Sequence, residues 1–460
     1  MKTGADYIES LADGRATYYE GRRIDDLMAE PAFARPAQWV AEGYDRYYSD
    51  VQGAMNPMVL APRSKEELRE RGQEIIELDV ALNVTYQSLM TLLTASPRLR
   101  GLDPVYQDRI KAYVEWAIAA DIRICECITD AKGDRSKPPG KQRDSDAYVR
   151  VVERRSDGVV VRGAKMHITS ASLCHELMVL PTKAMKPGEE DYAIVCMIPL
   201  NAPGVKVANT SFHPLAADSR HYPVSSRISM PDGLVLLDDM FVPYDRVFLD
   251  GEASQAAVFA HSLGMWERLG GVSFMAQQAD EIVGLAQLIA EANGLAGISH
   301  VREKIDELAI HATMVRAGLE AALVNAESTP EGYFYPNELY TNAAKYHAAS
   351  QFSHMVRHLH DIAGGAVLTA PTIGDLEHPD LGADLRKYMQ AGHDYTGEER
   401  VRILHAIRDL TADRLGGWHH VTNLQSGGGL FAQRIVTRRH YDLGRAKEIG
   451  CRMAGITPRR

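Results

Sequence analysis

The spacing of the apolar residues changes twice along the chain, and this limits the folds that the chain can adopt. From residue 1 to about 135, segments such as SKEELRERGQEIIELDVALNV repeat apolar residues three and four positions apart, which is typical of amphipathic helices. From about 145 to 250, apolar and polar residues alternate as in half-buried strands, and from about 255 the helical spacing returns. This order predicts an α+β protein made of helices, a small antiparallel β unit and a helical bundle.

The same change of pattern predicts three domains: a helical domain over 1–140, a β domain over 141–255 and a helical bundle over 256–460. No linker rich in Gly and Ser separates them, so we expect them to be tightly joined. Ser64 with Glu67 three residues on predicts a capping box at a helix start. Ser156, Asp157 and Gly158 predict the turn of a β-hairpin.

Composition excludes several classes of function. The formal net charge is -10, which argues against nucleic acid or an anionic membrane as the main partner, although a local basic patch could hold one anionic ligand. The N-terminal stretch MKTGADYIESLADGR has no apolar core, so it is not a signal peptide, and no apolar run is long enough to span a membrane. Five cysteines form no disulfide framework in a chain of 460 residues, which favours a reducing cytoplasm.

Common motifs for nucleotides, metals and nucleophiles are missing from the sequence. It contains no G-x-G-x-x-G, no G-x-x-x-x-G-K-[ST] and no G-x-S-x-G. Cys125 and Cys127 lack the two-residue gap of a zinc knuckle. His354 and His358 lie four positions apart on a predicted helix, but without the H-E-x-x-H pattern we interpret them as part of a polar helix face.

The stretch TDAKGDRSKPP, Thr129 to Pro139, concentrates fixed charge in a segment that is too irregular for a helix or a central strand. Two interpretations remain open. It is either a solvated connection between the helical and β parts, or a rim for an anionic or hydrogen-bonding ligand that Lys132, Asp134 and Arg135 contact.

Three further segments are ambiguous in the same way. In GAKMHITSAS, the alternation of Lys165, His167 and Thr169 predicts that they share one strand face. This face is either exposed to solvent or covered by a flat heteroaromatic ring with several hydrogen-bond acceptors. Gly364 and Gly365 either end a helix or allow close approach of the backbone to a ligand. The SGGG segment allows the same two interpretations, although three glycines exceed what a helix end requires.

Together, TDAKGDRSKPP, VVVRGAKMHITSAS, HYPVSSR with VLLDDMFVPYDRVFL, and DIAGGAVLTAP resemble the 4-hydroxyphenylacetate 3-hydroxylase family, which also contains 4-hydroxybutyryl-CoA dehydratase. Their order and spacing match over nearly the whole chain. The resemblance implies an acyl-CoA dehydrogenase-like fold with an N-terminal helical domain, a middle antiparallel β-barrel and a C-terminal helical bundle. It also implies a homotetramer or homodimer that binds FAD between the β domain and the helices, with a neighbouring subunit completing the site.

The resemblance also implies which residues contact the flavin. Ile128 to Arg135 would line it, and His167 to Thr169 would lie beside its ring with the Thr169 hydroxyl near N5. Asp361 to Gly365 and Ser426 to Gly428 would approach the pyrophosphate and adenosine. The cofactor-binding residues expected on this basis are Thr129, Lys132, Gly133, Asp134, Arg135, His167, Thr169, Asp361, Gly364, Gly365, Ser426 and Gly427.

The family contains two reactions, and the positions at which this sequence departs from each branch indicate which reaction to expect. The dehydratase branch holds an iron–sulfur cluster on three cysteines and a histidine, and the matching positions here are Val84, Ser88, Glu267 and Phe274, none of which is a thiol or imidazole. The hydroxylase branch binds a phenol through a histidine, an arginine and a tyrosine. The histidine position falls on Glu126, and the other two fall near Ser88 and Leu92. Glu126 is therefore either a buried general base or hydrogen-bond acceptor, or an exposed acid at a helix end.

The expected function is a two-component monooxygenase that receives FADH2 from a separate NAD(P)H-dependent flavin reductase. It would hydroxylate an aromatic or heteroaromatic small molecule through a C4a-hydroperoxyflavin, with Glu126, Arg135 and Thr169 as catalytic residues. The first alternative is a flavin-dependent acyl-CoA dehydratase or isomerase that lacks the cluster, and the second is a flavin-binding or scaffold protein without chemistry. Tyr333, Tyr335 and Trp418 are expected to be core aromatics rather than pocket walls.

Overall fold

The computed structural model describes residues 1–99, 101–212, 214, 218–392 and 394–458. Helices dominate its first part, and some of them begin where a short polar side chain caps free backbone amides, as Thr3 does for the first helix. The helices of this part are α1 (Gly4–Ser10), α2 (Pro31–Tyr47), α3 (Lys65–Glu74), α4 (Val80–Ala95) and α5 (Val105–Ala119). It also contains three strands, β1 (Thr17–Tyr19), β2 (Arg22–Ile24) and β3 (Ile124–Cys127).

Two local predictions need correction in this part. The segment that begins at Ser64 is two helices, because Asp79 accepts a hydrogen bond from Leu82 N and starts a new helix there. Ser64 does cap α3 by accepting from Glu67 N, but the Glu67 carboxylate accepts from Arg63 N instead of Ser64 N, so the predicted capping box is only half formed.

The middle of the chain forms two sheets. Its strands are β4 (Arg150–Arg154), β5 (Gly158–Thr169), β6 (Glu176–Val179), β7 (Ile194–Pro199), β8 (Val205–Thr210), β9 (Asp232–Pro243) and β10 (Val247–Asp250), with the short helix α6 (Ser225–Ile228) before β9. The hairpin of β4 and β5 confirms the turn predicted at Ser156 to Gly158. Six strands pair in the order β2-β1-β8-β9-β5-β4, and four in the order β10-β7-β6-β3.

The sheets differ from the expected antiparallel barrel. The pairs β1–β8 and β3–β6 are parallel, and both use a strand from the first 140 residues. Among the described residues no strand pairing closes the two sheets into a barrel, so that part of the expectation is not confirmed. One hydrophobic cluster takes buried side chains from both sheets, including Val161 and Val235 of the first and Leu177 and Cys196 of the second. The sheets therefore share a core.

The last part is a bundle around three long helices, α7 (Ala256–Ala292), α8 (Ser299–Val324) and α9 (Glu338–Ala363), which confirms the helical prediction for this region. Between α8 and α9 lies the short hairpin of β11 (Glu327–Ser328) and β12 (Phe334–Tyr335). The remaining helices are α10 (Ala366–Thr369), α11 (Ile373–Glu377), α12 (Gly382–Met389), α13 (Gly397–Thr411), α14 (Arg414–Gln425), α15 (Gly429–His440) and α16 (Leu443–Ala454).

The largest hydrophobic cluster joins this bundle to the first helices. Trp266 on α7 lies within it and donates through Nε1 to Thr94 Oγ1 on α4 at 3.1 Å, while its ring meets Tyr86 edge-on. Because a buried indole N–H needs a partner, this bond fixes how α4 lies along α7. The predicted order of helices, sheets and helices is thus confirmed. Among the described residues no helix is both long and apolar enough to cross a membrane.

Candidate functional site

The charged loop after β3 is fixed at its base by a buried ion pair. Lys165 Nζ lies 2.7 Å from Asp130 Oδ1, and both side chains are almost fully buried. Lys165 also donates to the carbonyl oxygens of Ile128 and Leu180, at 3.0 and 2.8 Å. Asp130 accepts from Val149 N at 2.9 Å and from the Thr182 hydroxyl. The start of the loop is therefore held rigidly against β5.

The tip of the loop carries two neighbouring cations, of which Lys132 is half-buried. Lys132 and Gly133 both adopt left-handed backbone conformations, with φ of 68° and 50°, and Lys132 N donates to Ala147 O at 3.0 Å. Burial, followed by the nearby Arg135 charge, lowers the pKa of Lys132. Arg135 is exposed. Two neighbouring cations on a shaped loop form a surface that an anionic ligand would neutralise.

Asp134 has a structural role in the same turn. Its carboxylate accepts from the Ser136 hydroxyl at 2.7 Å and from Ser136 N at 3.0 Å, and Lys137 Nζ lies 3.3 Å away. The Ser136 hydrogen bonds lower the pKa of Asp134. Asp134 therefore holds the turn that presents its two cationic neighbours.

The predicted common face of Lys165, His167 and Thr169 is wrong. The register between β5 and β9 shifts between Lys165 and Ile168, and His167 has a φ of 61°, so a β-bulge interrupts the alternation. As a result Lys165 is buried, His167 is exposed and Thr169 is half-buried. This strand segment still lies close in space to the charged loop, because Met166 N donates to Thr129 O at 2.7 Å. Its neighbours His167 and Thr169 therefore lie near the loop.

Thr169 connects the sheet to the helical bundle. It pairs with Asp232 of β9 in the sheet, and the Asp232 carboxylate accepts from Trp418 Nε1 on α14 at 2.9 Å. Burial raises the pKa of Asp232. Trp418 is half-buried and makes a polar contact here, so it is not the core aromatic that the sequence predicted.

A pair of enclosed carboxyl groups lies where β3 approaches α7. Glu126 on β3 retains some accessible surface, yet its Oε1 is buried without a hydrogen-bond partner. Burial, and then the charge of Glu267, raises the pKa of Glu126 well above its ordinary value. Burial also raises the pKa of Glu267. The interpretation of Glu126 as an exposed acid at a helix end is therefore wrong.

Two buried cations lie near Glu267, the second of these carboxyl groups. Lys345 on α9 is fully buried and donates to Asn423 O at 2.7 Å. Burial lowers the pKa of Lys345 to about 8, although the nearby Glu267 charge opposes this shift. Burial likewise lowers the pKa of Arg268. The group of Glu126, Glu267, Arg268 and Lys345, which we call the buried charge cluster, holds titratable groups with pKa values shifted toward neutrality, an arrangement suited to acid–base chemistry.

The glycine segment after α14 contacts the buried charge cluster. Gly427 O accepts from Arg268 Nε at 2.8 Å, and the Gly427 backbone amide lowers the pKa of Glu267 against the larger, opposite effect of burial. Gly427, Gly428 and Gly429 have φ values of 69°, 90° and 65°, which explains why three glycines follow one another. A Cβ on Gly427 would lie 2.7 Å from Arg268 Cγ. Within the chain, Gly427 therefore contacts the buried charge cluster, and Ser426 precedes it as the C-cap of α14.

The other predicted cofactor segment lies apart from these residues. Asp361 forms an ion pair with Lys304 of α8 at the end of α9, and Gly364 caps that helix with a φ of 76°. Gly364 and Gly365 are exposed and have open space around their Cα atoms. In the described part of this single chain, no hydrogen bond or ion pair joins them to the loop of Thr129 to Arg135.

Two tyrosines expected in the core are instead half-buried near the surface. Arg63 lies over the ring of Tyr333, with Cζ 4.2 Å from the centroid, and Arg98 lies over Tyr335 at 5.2 Å. Sequence analysis also missed Arg268, Lys345 and Asp232 as site residues. The sequence gives only a weak indication that Lys345 is a site residue, because it is simply the one charged residue in the helical stretch NAAKYHAAS.

The residues between α4 and α7 do not fit an iron–sulfur cluster. These helices pack together, and the expected ligand positions on them are Val84, Ser88, Glu267 and Phe274. Ser88 donates its hydroxyl to Val84 O at 2.8 Å. Thiolates are the usual ligands of such clusters, and here Cys125, Cys127 and Cys174 are buried in the core between the sheets.

Comparison with known proteins identifies relatives along the whole chain. A family model described as the N-terminal part of 4-hydroxyphenylacetate 3-hydroxylase matches residues 3–249, and the corresponding C-terminal model matches residues 256–455. The chain is 26% identical over 496 residues to 4-hydroxybutyryl-CoA dehydratase/vinylacetyl-CoA-Delta-isomerase of Clostridium aminobutyricum, covering 99% of this chain and 100% of that one.

A second relative comes from the oxygenases. The chain is 27% identical over 432 residues to the oxygenase component of 4-hydroxyphenylacetate 3-monooxygenase from Thermus thermophilus, covering 90% of this chain and 89% of that one. A solved structure of such an oxygenase component, complexed with FAD, matches with a TM-score of 0.87 at 24% identity over 98% of each chain. The fold is therefore shared with that oxygenase component.

Proposed function

Because the chain belongs to the 4-hydroxyphenylacetate 3-hydroxylase family, we propose that it is a two-component flavin monooxygenase that uses FADH2 to hydroxylate an aromatic or heteroaromatic small molecule. The observation that carries this proposal is the set of side chains between α4 and α7. Val84, Ser88 and Phe274 offer no ligand for an iron–sulfur cluster, which the dehydratase branch of the family requires. Hydroxylation needs no such cluster.

The residues around the β3 loop fit FAD. Lys132 and Arg135 would complement its phosphates or the negative charge of the reduced ring, and Asp134 holds the turn that presents them. Thr129, Gly133, His167 and Thr169 lie on the same loop and the adjoining strand. When bound, the reduced flavin would supply the two electrons that activate dioxygen, so that one oxygen atom of dioxygen enters the product and the other leaves as water.

The buried charge cluster would act on the substrate. Hydroxylation of an aromatic ring replaces C–H by C–OH and releases a ring proton, so a proton acceptor is needed in a site closed to bulk water. Glu126 has an unpartnered Oε1 and a raised pKa that favours its neutral form, so it would hydrogen-bond a substrate hydroxyl or amine. Lys345, with a pKa of about 8, is positioned beside Glu267 to exchange the proton.

Two kinds of partner follow from this proposal. A separate NAD(P)H-dependent reductase would supply FADH2, because the chain has no glycine-rich dinucleotide motif. A second copy of the chain, in a homodimer or homotetramer, would bring its flavin toward the open edge at Gly364 and Gly365. The helical bundle would complete the proposed cofactor contacts through Asp361, Ser426 and Gly427.

The second candidate is a flavin-dependent acyl-CoA dehydratase or isomerase without a metal cluster. Similarity to the Clostridium dehydratase over its full length favours it. Glu126 and Lys345 would then serve as the acid and the base for proton transfer next to a thioester. Thermal protection by CoA esters, and not by phenols, would distinguish this function from the first.

The test uses the purified chain with chemically reduced FAD, isotopically labelled dioxygen and a panel of phenols and heteroaromatic compounds. We expect label in a hydroxylated product and a yield of peroxide lower than that of free reduced FAD. Complete conversion of dioxygen to peroxide with every compound, together with thermal protection by CoA esters, would move the dehydratase or isomerase to first place. Failure to bind FAD at all would favour a protein without chemistry.

A further inference from the structure

A cluster of potential metal ligands lies between α8 and α9, outside the site described above. His354 and His358 occupy neighbouring turns on one face of α9, and Glu307 of α8 lies opposite them. His358 Nε2 is 2.9 Å from Glu307 Oε2 and 3.1 Å from His354 Nε2, and His354 Nε2 is 3.7 Å from the same Glu307 oxygen. The sequence offered only the two histidines, because the carboxylate comes from another helix.

These distances are those expected for ligands around one small cation. Zn²⁺ binds imidazole nitrogen at about 2.0–2.1 Å and carboxylate oxygen at about 2.0–2.2 Å, which places neighbouring ligand atoms of a tetrahedral site about 3.3 Å apart. Two histidines four positions apart on a helix form a common half of such sites. The three separations in the Glu307, His354 and His358 group fall on either side of the tetrahedral value, so small rotamer adjustments suffice.

Hydrogen bonding alone does not satisfy this cluster. Arg357 Nη2 lies 2.7 Å from His354 Nδ1, and a guanidinium only donates. A neutral His354 then carries its proton on Nε2 and points it at His358 Nε2, which leaves a His358 lone pair facing the Glu307 carboxylate. If His358 instead donates to Glu307, then His354 Nε2 must accept, and its Nδ1 proton faces the Arg357 donor. No pair of neutral tautomers satisfies all three contacts.

We propose that Glu307, His354 and His358 bind one divalent transition-metal ion of the Zn²⁺ type, with water completing the coordination. Both Nε2 lone pairs and the carboxylate then point at the same cation, and Nδ1 of His354 carries its proton. Arg357 is exposed, so it turns into solvent. The remaining nearby cation, Lys304, is already paired with Asp361. The metal ion ties α8 to α9 at a point six residues before Gly364, which ends α9.

A second histidine and glutamate cluster is a poorer candidate. Glu338 Oε2 lies 2.6 Å from His261 Nε2 and 3.3 Å from His440 Nε2, while Arg98 Nη2 lies 3.5 Å from Glu338 Oε1. The guanidinium is a permanent cation at the same carboxylate, so a second cation there would be repelled. We interpret this group as an ion network that links α7, α9 and α15.

The test is metal binding by the tag-free, full-length protein after dialysis against a chelator. Titration with Co²⁺, followed by its visible absorption, and competition with Zn²⁺ should give one tight site per chain. His358→Gln and Glu307→Gln should each weaken Zn²⁺ binding by more than the roughly 10–100-fold that loss of an outer hydrogen-bond partner costs. Arg357→Gln should bind at least as tightly as the parent protein, because its donor competes with the metal ion.

Matched controls keep the result interpretable. Glu303→Gln removes an exposed glutamate of the same helix outside the cluster and should leave the affinity unchanged. Thermal melts in chelator should be alike for all variants, which shows that each folds without metal. The proposal is overturned if no tight site exists, if His358→Gln and Glu307→Gln bind like the parent protein, or if His440→Gln alone abolishes binding.

Discussion

Arg268 Nε donates to the carbonyl oxygen of Gly427 at 2.8 Å, and the amide of the same glycine favours the charged form of the neighbouring Glu267 carboxylate. A side chain from the middle of α7 thus holds the glycine turn between α14 and α15 against two buried charges. The contact depends on the left-handed conformation of Gly427 and on the absence of its Cβ.

Gly427→Ala should therefore destabilise the protein and open the buried charge cluster. The left-handed conformation alone costs alanine roughly 1–2 kcal/mol, and its Cβ would also displace the Arg268 side chain. Thermal or urea unfolding measures the loss. Gly284→Ala, in an exposed part of α7 with open space at the Cα atom, is the matched control and should stabilise by up to about 1 kcal/mol. Equal stability of Gly427→Ala and the parent protein would show that the turn is not tightly held.

Lys345→Met should change how stability depends on pH in the alkaline range. Because burial lowers the pKa of Lys345 from 10.5 to about 8, the unfolded chain binds more protons than the folded one between these values. The parent protein should therefore gain stability relative to the variant as pH rises from about 8 to 10.5, by on the order of 3 kcal/mol. Unfolding curves across this range measure the difference, and parallel curves would contradict it.

Glu126→Gln should show the opposite trend at lower pH. The raised pKa of Glu126 means that the folded protein holds this proton while the unfolded chain loses it near the ordinary value of 4.5. The parent protein should lose stability relative to the variant as pH rises from 4.5 toward the raised value, and the difference should then stay constant. Melting curves of both proteins from pH 4.5 to 8 test this, and a difference that does not vary with pH would place Glu126 in contact with water.

Lys132→Met and Arg135→Met should each weaken binding of reduced FAD. Loss of one charge-assisted hydrogen bond costs about 1.5–3 kcal/mol, or roughly 10- to 150-fold in affinity. The dependence of FAD affinity on salt should also become less steep. Lys141→Met, which removes an exposed cation further along the same segment, is the control and should bind as the parent protein does. If all three variants bind equally well, the loop does not contact the cofactor.

The sequence predicts the order of helices, sheets and helices, because the type of each segment follows from the local spacing of its apolar residues. It fails where a tertiary contact overrides the local pattern. The bulge at His167 separates Lys165 from Thr169, because Lys165 pairs with buried Asp130. Asp79 divides a continuous helical pattern into α3 and α4.

The buried charge cluster could be predicted only in part. Glu126 is predicted from the family resemblance, because the histidine position of the hydroxylase branch falls on it, whereas Arg268 and Lys345 lie in helices far along the chain. Their role can be recognised only from the folded structure, in which α7 and α9 pack beside the glycine turn. Nothing in the local pattern of either helix distinguishes these residues from surface charges.

The most direct test of the monooxygenase function is rapid mixing of the anaerobic protein, loaded with reduced FAD, with oxygenated buffer. Flavin absorbance and peroxide release are followed in the same reaction. If the site activates dioxygen and excludes water, consumption of the reduced flavin should precede peroxide release by a clear lag, and a productive substrate should suppress the peroxide. Immediate and stoichiometric peroxide release, unaffected by any substrate, would contradict the proposed function.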